Sequence, residues 1–417
     1  MTTSDRALPT GQLYGQQTSL GVENFPLRGQ TLGETPAFVR NFARVKLAAA
    51  TVNHSLGVVD AARRDAIVLA CQEVIDGKHA DQFPSPLVQG GGGTTTNMNV
   101  NEVVANRASA LAGKPVHPND HVNASQSTND TFPTAMALTI LELAVVPVAT
   151  LRELAEAFEE KAQEFSDVLH LGRTCLQDAV ALTAGNSHLA HAQAMRRVAD
   201  DLERSVSALH ELPLGGTAIG NGLGAPSRFG ELAVRELASL SALPLSAASN
   251  PFDVLAHMDP YSAIAAAGSR AAITMGKIAA DVRLLSSGPR GGFADLTIPA
   301  TQAGSSIMPG KVNPVIPEYV LQLSYRVRGR ALTIDCAVAD GELELNVMEP
   351  VVLDSLISIF GDLTAAAGTF AKRCIAGLRW DGLRRESNLS AALDGLVQSA
   401  TREGYESVSE RVRARSV

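Results

Sequence analysis

The sequence predicts a mainly α-helical protein, an elongated central helical bundle with smaller N- and C-terminal domains. Three observations carry that expectation. Five stretches of at least 25 residues repeat apolar side chains at steps of three and four, far longer than the usual helix of about 11–12 residues. These stretches are rich in alanine and separated by Gly- and Pro-containing breaks, the pattern of long packed helices. Strand and helix signals do not alternate along the chain, and no segment repeats.

In chain order, residues up to about 36 are punctuated by Gly, Pro and Thr and read as loops. Helices are expected over 36–53 and 61–73. Residues 83–98 hold two prolines and the run Gly90 to Gly93, so they read as a loop, followed by a short helix over 101–111. Residues 117–130 are dense in Asn, Ser, Thr and Pro and read as another loop. From 134 to 169 the stripe Leu151, Leu154, Phe158, Ala162, Phe165 and Leu169 marks a long helix, which Pro147 should kink or divide. A second stripe, Met195, Leu202, Val206 and Leu209, marks 187–212. Three more long helices are expected over 260–286, 314–339 and 350–378. Residues 380–417 are polar, carry at most two short helices, and are too few to hold a core of their own. The expected division is 1–130, 131–378 and 379–417.

At 417 residues the chain is long enough for two or three domains of roughly 150 residues each. Apolar residues at 45% against 19% charged exclude intrinsic disorder. Lys and Arg total 35 against 43 Asp and Glu, a net charge of −8 without basic blocks. That balance argues against nucleic acid and anionic membranes as partners. Aromatics at 4% are too sparse for base-stacking platforms. Cys71, Cys175, Cys336 and Cys374 lie far apart, which fits neither a zinc ribbon nor a disulfide scaffold and points to a reducing compartment. The start, MTTSDRALPTGQLYGQQ, lacks the apolar core of a signal peptide. With no apolar run read as long enough for a membrane span, the expectation is a soluble, cytoplasmic protein.

Four loops concentrate small hydrogen-bonding residues. The first runs from Gly90 through Thr94 to Asn97 and Asn99. Its glycines let a ligand approach the backbone, and its hydroxyls and amides donate to an anion. A plain flexible loop is the alternative, and the absence of a following Gly-Lys-Ser/Thr excludes a Walker A motif. The second holds His117, His121, Asn123, Ser125, Ser127, Thr128, Asn129 and Asp130. It reads as a polar pocket or a helix cap, and a helix N-terminus is itself an anion site. His117 and His121 have no accompanying Cys or carboxylate pattern, so metal binding is disfavoured. The third, Gly172 to Asp178 with Thr174 and Cys175, says little alone, and Cys175 reads as a buried thiol. His188 and His191, on a long helix, read as solvated surface. The fourth, Gly304 to Pro314, surrounds Ser305, Ser306, Lys311 and Asn313 with glycines and prolines. Such a loop can pivot at its glycines and offer an ammonium to a carboxylate.

Together these loops resemble the aspartase/fumarase superfamily of homotetrameric lyases. Residues 304–314, GSSIMPGKVNP, match every fixed position of a signature that looks like GSSxMPxKxNP. The likeness continues through QGGGGTTTNMNVNEVVANRA, HPNDHVNASQSTNDTFPTAM, GRTCLQDAV, SSGPRGG and ELNVMEP, covering roughly residues 20–375. QSTND, KVNPVIPE and ELELNVMEPVV look closer to aspartate ammonia-lyases, whereas HPNDHVN is more like class II fumarases.

The resemblance implies β-elimination from a succinate-type dicarboxylate to give fumarate, with no cofactor and no metal. Removing the weakly acidic proton beside a carboxylate places two negative charges on that carboxylate. The catalyst needs preorganised donors there, each worth about 3–4 kcal/mol when critical. By resemblance Ser305 is the base and Lys311 and Asn313 bind a carboxylate. Thr94, Ser127, Thr128, Asn129 and Thr174 hold the carboxylates and the leaving group, with Cys175, Glu318 and Ser306 accessory. In this family each site combines loops of three subunits. Many members carry His at the position of Cys175, paired with a glutamate matching Glu318, although some aspartases have Gln there. Gly185-Asn186-Ser187 replaces Gly-Gln-Glu, Gly220-Asn221-Gly222-Leu223-Gly224 replaces Gly-Thr-Gly-Leu-Asn, and the C-terminal domain is short. The implied activity is a carbon–nitrogen lyase of the ammonia-lyase type, acting on aspartate or an N-substituted aspartate. The alternatives are a fumarate hydratase acting on malate and a non-catalytic homologue of the lens-crystallin kind.

Overall fold

The structure, a computed structural model, describes residues 11–26 and 29–415; the first ten residues, read above as lacking a signal peptide, lie outside them. The fold is mainly α. Its elements are α1 (Gln16–Asn24), α2 (Pro36–Ser55), α3 (Ala61–Ile75), α4 (Thr94–Ala112) and α5 (Thr128–Glu164), then β1 (Leu169–Thr174) and β2 (Gln177–Thr183). After them come α6 (Ala184–Val206), β3 (Glu211–Leu212), α7 (Phe229–Ser241), β4 (Ser246–Ala247), α8 (Pro251–Ala256), α9 (Asp259–Leu285), α10 (Val315–Ala339) and α11 (Glu349–Phe370). The chain ends in α12 (Arg385–Leu389), α13 (Asp394–Glu403) and α14 (Tyr405–Arg415).

Two compact units form. One comprises Met1–Val145, Glu203–Ala267 and Gly329–Phe360; the other comprises Val146–Leu202, Gly268–Arg328 and Gly361–Val417. Every boundary between them falls inside one of the five long helices, α5, α6, α9, α10 and α11. Neither unit is therefore a continuous stretch of chain.

In the first unit, Pro36 opens α2 at the position where its missing N–H costs nothing. Phe38, Phe42 and Phe132 pack edge to face with ring centres 5.1–6.2 Å apart, joining α2 to the start of α5. Helix α4 begins at Thr94, inside the segment expected to be loop. It follows Gly93, whose φ of 82° suits glycine and whose Cβ position would meet the Phe132 ring at 2.2 Å. Helices α1 and a 3-10 turn at Leu32–Glu34 likewise replace the loop expected before residue 36. The Glu102 carboxylate makes α1 possible, accepting from the backbone N–H of Gly15, Gln17 and Thr18 and from the Thr18 hydroxyl.

Helix α5 starts earlier than expected and runs unbroken through Pro147. An interior proline costs about 3 kcal/mol. Buried Ala144, Val148, Leu151 and Leu154 around it offset that, at about 1.5–3 kcal/mol for each of the larger side chains. Two helical segments, Thr128–Glu164 and Glu349–Ile375, do contain windows apolar and long enough to cross a membrane, contrary to the sequence reading. Those windows are 67% and 56% buried inside the protein, as core helices are.

The second unit contains what the helical pattern concealed. Residues 169–183 form an antiparallel hairpin rather than a helix end and a loop, with Leu169 opposite Thr183 and Thr174 opposite Gln177. Its two-residue turn, Cys175 and Leu176, has φ of 53° and 60°, the twist a tight hairpin requires. The C-terminal segment folds into three short helices instead of two and packs on this hairpin. Leu393 N–H donates to Ala179, Ala181 N–H donates to the Asp394 carboxylate, and Arg385 donates to the Leu169 carbonyl.

His188 is buried, not solvated, because Trp380, far along the chain, covers it and donates its indole N–H to Nε2 at 2.8 Å. His188 and His191 pack on Phe158, and their Nδ1 atoms have no hydrogen-bond partner among the described residues. Burial, reinforced by neighbouring cations, pushes His188 down to about 3 and His191 down to about 4. The folded state thus refuses protons that an unfolded imidazole, near 6.5, accepts. Stability from these groups is intact above pH 6.5 and lost as pH falls toward 4. Thermal melts should show Tm dropping over that interval, with a shallower drop in His191→Leu. An unchanged slope in that variant would refute the assignment.

Candidate active site

The candidate residues divide between the units: Thr94, Ser127, Thr128 and Asn129 in the first, and Thr174, Cys175, Ser305, Ser306, Lys311, Asn313 and Glu318 in the second.

In the second unit, residues 304–313 close on themselves. Gly304 N–H donates to the Lys311 carbonyl at 2.8 Å, and Asn313 Nδ2 donates to the Gly304 carbonyl at 2.8 Å. Inside this ring the Ser305 Oγ accepts two backbone N–H groups, from Ile307 at 3.2 Å and Met308 at 3.0 Å. Donors aimed at an oxygen favour its deprotonated form. Lys311 and Ser306 are exposed, and no carboxylate among the described residues pairs with Lys311. Its ammonium is thus available to an incoming anion.

The hairpin carries Thr174 and Cys175 at its end, both exposed. The expected buried thiol is therefore wrong: a side chain on a two-residue turn points away from the sheet that would cover it. Glu318, in the first turn of α10, pairs with a guanidinium, Arg283 Nε at 3.3 Å. No hydrogen bond joins it to Cys175 among the described residues.

In the first unit, Thr94 donates its hydroxyl to the Gly91 carbonyl at 2.9 Å and stands exposed at the start of α4. Ser127 precedes α5: its Oγ accepts the Asn129 N–H, and its own N–H donates to Asp130 Oδ1 at 2.9 Å. The other Asp130 oxygen accepts the N–H groups of Gly215 and Thr217, both at 2.9 Å, and Asn129 Nδ2 donates to the Ala218 carbonyl. Burial pushes the Asp130 carboxyl up to about 6, against the pull of those three N–H groups and of Lys46. Thr128 Oγ1 accepts from Asn97 Nδ2 at 3.0 Å, which joins the starts of α4 and α5.

Sequence reasoning passed over the residues beneath these loops. Lys46 is wholly buried, and its Nζ donates to Asn97 Oδ1 at 2.7 Å, Asn123 Oδ1 at 2.9 Å and Gln126 Oε1 at 3.1 Å. The available signal was its place on the apolar stripe of α2, four residues after Phe42 and before Ala50. His117 and His121 serve local structure: His117 Nδ1 accepts the N–H groups of Asn119 and Asp120, and His121 Nδ1 accepts that of His117. No cluster of three metal-ligating side chains occurs among the described residues.

A family model described as Lyase matches residues 5–329. The chain belongs to the aspartase/fumarase superfamily. It is 40% identical over 380 residues to the aspartate ammonia-lyase of Escherichia coli K12, covering 89% of this chain and 80% of that one. It is 41% identical over 378 residues to the class II fumarate hydratase of Thermosynechococcus vestitus, covering 89% and 79%. Among solved structures, a fumarate lyase:delta crystallin from Brucella melitensis superposes with a TM-score of 0.93 at 40% identity, covering 97% and 89%.

The ring around Ser305 leaves no room at Gly304, where a Cβ would lie 2.6 Å from the Lys311 carbonyl oxygen and 2.8 Å from Asn313 N. Gly304→Ala should therefore spring the loop and cut turnover by about a hundredfold, the scale of a 1 Å misplacement. Far-UV circular dichroism should stay unchanged. Full activity in this variant would show that the ring does not position the site.

Proposed function

We propose that the protein is a carbon–nitrogen lyase that eliminates an amine from aspartate or an N-substituted aspartate to give fumarate. The observation that carries the reading is the Ser305 oxygen held under two backbone N–H groups. Ser305, as alkoxide, takes the proton beside the carboxylate, and the C–H electron pair moves onto that carboxylate. Lys311 and Asn313, with Thr94, Ser127, Thr128, Asn129 and Thr174, hold the carboxylates and the leaving amine. The pair then returns to form the C=C bond as the C–N bond breaks, and the serine proton passes to solvent.

Loops from three subunits of a homotetramer complete each site in this reading, which is how candidate residues come to lie in two units of one chain. The enzyme works in the cytoplasm without a cofactor, and its partners are a small dicarboxylate and its own copies, neither nucleic acid nor membrane.

Nitrogen is preferred over oxygen as the leaving atom because of Cys175 and Glu318. Hydroxide is a poor leaving group and needs an acid as it departs. Here an exposed thiol stands at the hairpin tip, and Glu318 is bound to Arg283. An ammonium leaves with its proton already in place. The similar identity to a fumarate hydratase makes malate the proper comparison substrate.

Fumarate release from aspartate should far exceed that from malate at matched concentrations, and Cys175→His should narrow the gap. Ser305→Ala should lower kcat by roughly a thousandfold while preserving the fold. Faster release from malate would overturn the leaving group, and normal turnover without Ser305 would overturn the base.

A further inference from the structure

The Lys46 ammonium can only donate, and its three bonds end on side-chain amide oxygens at the start of α4 and in the segment before α5. It therefore dictates how Asn97 lies. With Oδ1 committed to Lys46, the Asn97 amide must turn its NH2 outward, where it meets Thr128 Oγ1 at 3.0 Å. Thr128 then has a lone pair engaged, and its hydroxyl hydrogen has no acceptor among the described residues. It is left as a donor, the polarity that a carboxylate oxygen requires.

We propose that Lys46 is a positioning residue for substrate binding: through Asn97 it fixes the direction of the Thr128 hydrogen bond, so that Thr128 meets a substrate carboxylate as a donor. This rests on the assignment of Thr128 to carboxylate binding made above. The titratable groups facing Lys46 are Asp130, at the start of α5, and Cys71, on α3. Burial lowers Lys46 to about 7, with Asp130 opposing, so the donor set weakens just above neutrality. A neutral amine can accept a hydrogen bond, and Asn97 is then free to reverse.

The test uses the full-length protein and succinate, a dicarboxylate with no leaving group and no amine to titrate. Calorimetry gives its Kd, alongside kcat and KM for aspartate and Tm. Lys46→Met should weaken succinate binding and raise KM by about tenfold, one hydrogen bond's worth, with a smaller change in kcat. Asn97→Asp keeps an oxygen for Lys46 but cannot donate to Thr128, so it should weaken succinate equally without lowering Tm. In the unmodified protein succinate affinity should fall as pH rises past about 7. In Asn97→Asp the new carboxylate holds the proton on Lys46 and moves any such fall to higher pH.

If Lys46→Met does not fold, Asn97→Asp decides. Unmodified succinate affinity in Asn97→Asp overturns the inference, as does a loss of kcat in Lys46→Met at constant Kd. An unmodified protein that binds succinate but releases no fumarate from aspartate or from N-substituted aspartates refutes the lyase reading while the positioning role stands. One that does not bind succinate refutes both.

Discussion

An ammonium sealed from water must be given oxygens, and in this fold the oxygens given to Lys46 decide where two polar segments end. Asn97, Asn123 and Gln126 are drawn to one point, and the starts of α4 and α5 follow them. An unpaired buried charge costs several kcal/mol, more than the few tenths by which any one of these Asn- and Thr-rich turns prefers its conformation. The same device recurs. Buried Asp130 gathers the N–H groups of Ser127, Gly215 and Thr217, and Glu102 gathers the start of α1. Helix α1 in turn lies against the glycine loop, with Gly21 on Thr95 and Phe25 beside Gly90. In the second unit, fully buried Asp295 holds Arg173 at 2.6 Å and Asn388 at 3.0 Å, fixing the hairpin to the C-terminal segment.

The long helices were legible because burial on one face writes itself into the chain every third or fourth residue. What the period could not reveal were features set by distant residues. The hairpin turn is Cys175-Leu176, without the Asn or Gly that usually marks positive φ, and its strands are held by the far C-terminal segment. His188 looks like any polar residue on an amphipathic helix until Trp380 covers it. Helix α4 begins among threonines and asparagines of low propensity, yet those side chains are engaged by Gln89 and Lys46. Pro147 signals a break locally, and buried neighbours on both sides override it.

The candidate site divides along the same line. Loops rich in Ser, Thr, Asn and Gly announce themselves, since little else needs so many small donors together. Their supports do not: Lys46 and Glu102 are single charges inside apolar or mixed text, and only their burial gives them meaning. Within the chain the salt bridge of Glu318 is with Arg283, a residue no motif selected.

The two groups of candidate residues are also held differently, and the chemistry explains why. Ser127, Thr128 and Asn129 are bonded to neighbouring groups in the first unit, so their backbone and side chains are held in place before any ligand arrives, which limits the cost of reorganisation. Most bonds of 304–313 close within the loop, among Gly304, Ser305, Lys311 and Asn313, and the Asn313 carbonyl accepts the Val315 N–H at the start of α10. Such a ring can move as one body and carry Ser305 with its two N–H donors intact. Its tip is apolar, with Ile307 84% and Met308 48% exposed. Covering side chains of that size contributes about 1.5–3 kcal/mol each. That is the order of the cost of stripping water from Lys311 as it meets a carboxylate. In the proposed reaction, a base that is strong only out of water belongs on a part that can close, and binding groups that must recognise the substrate first belong on the part already rigid.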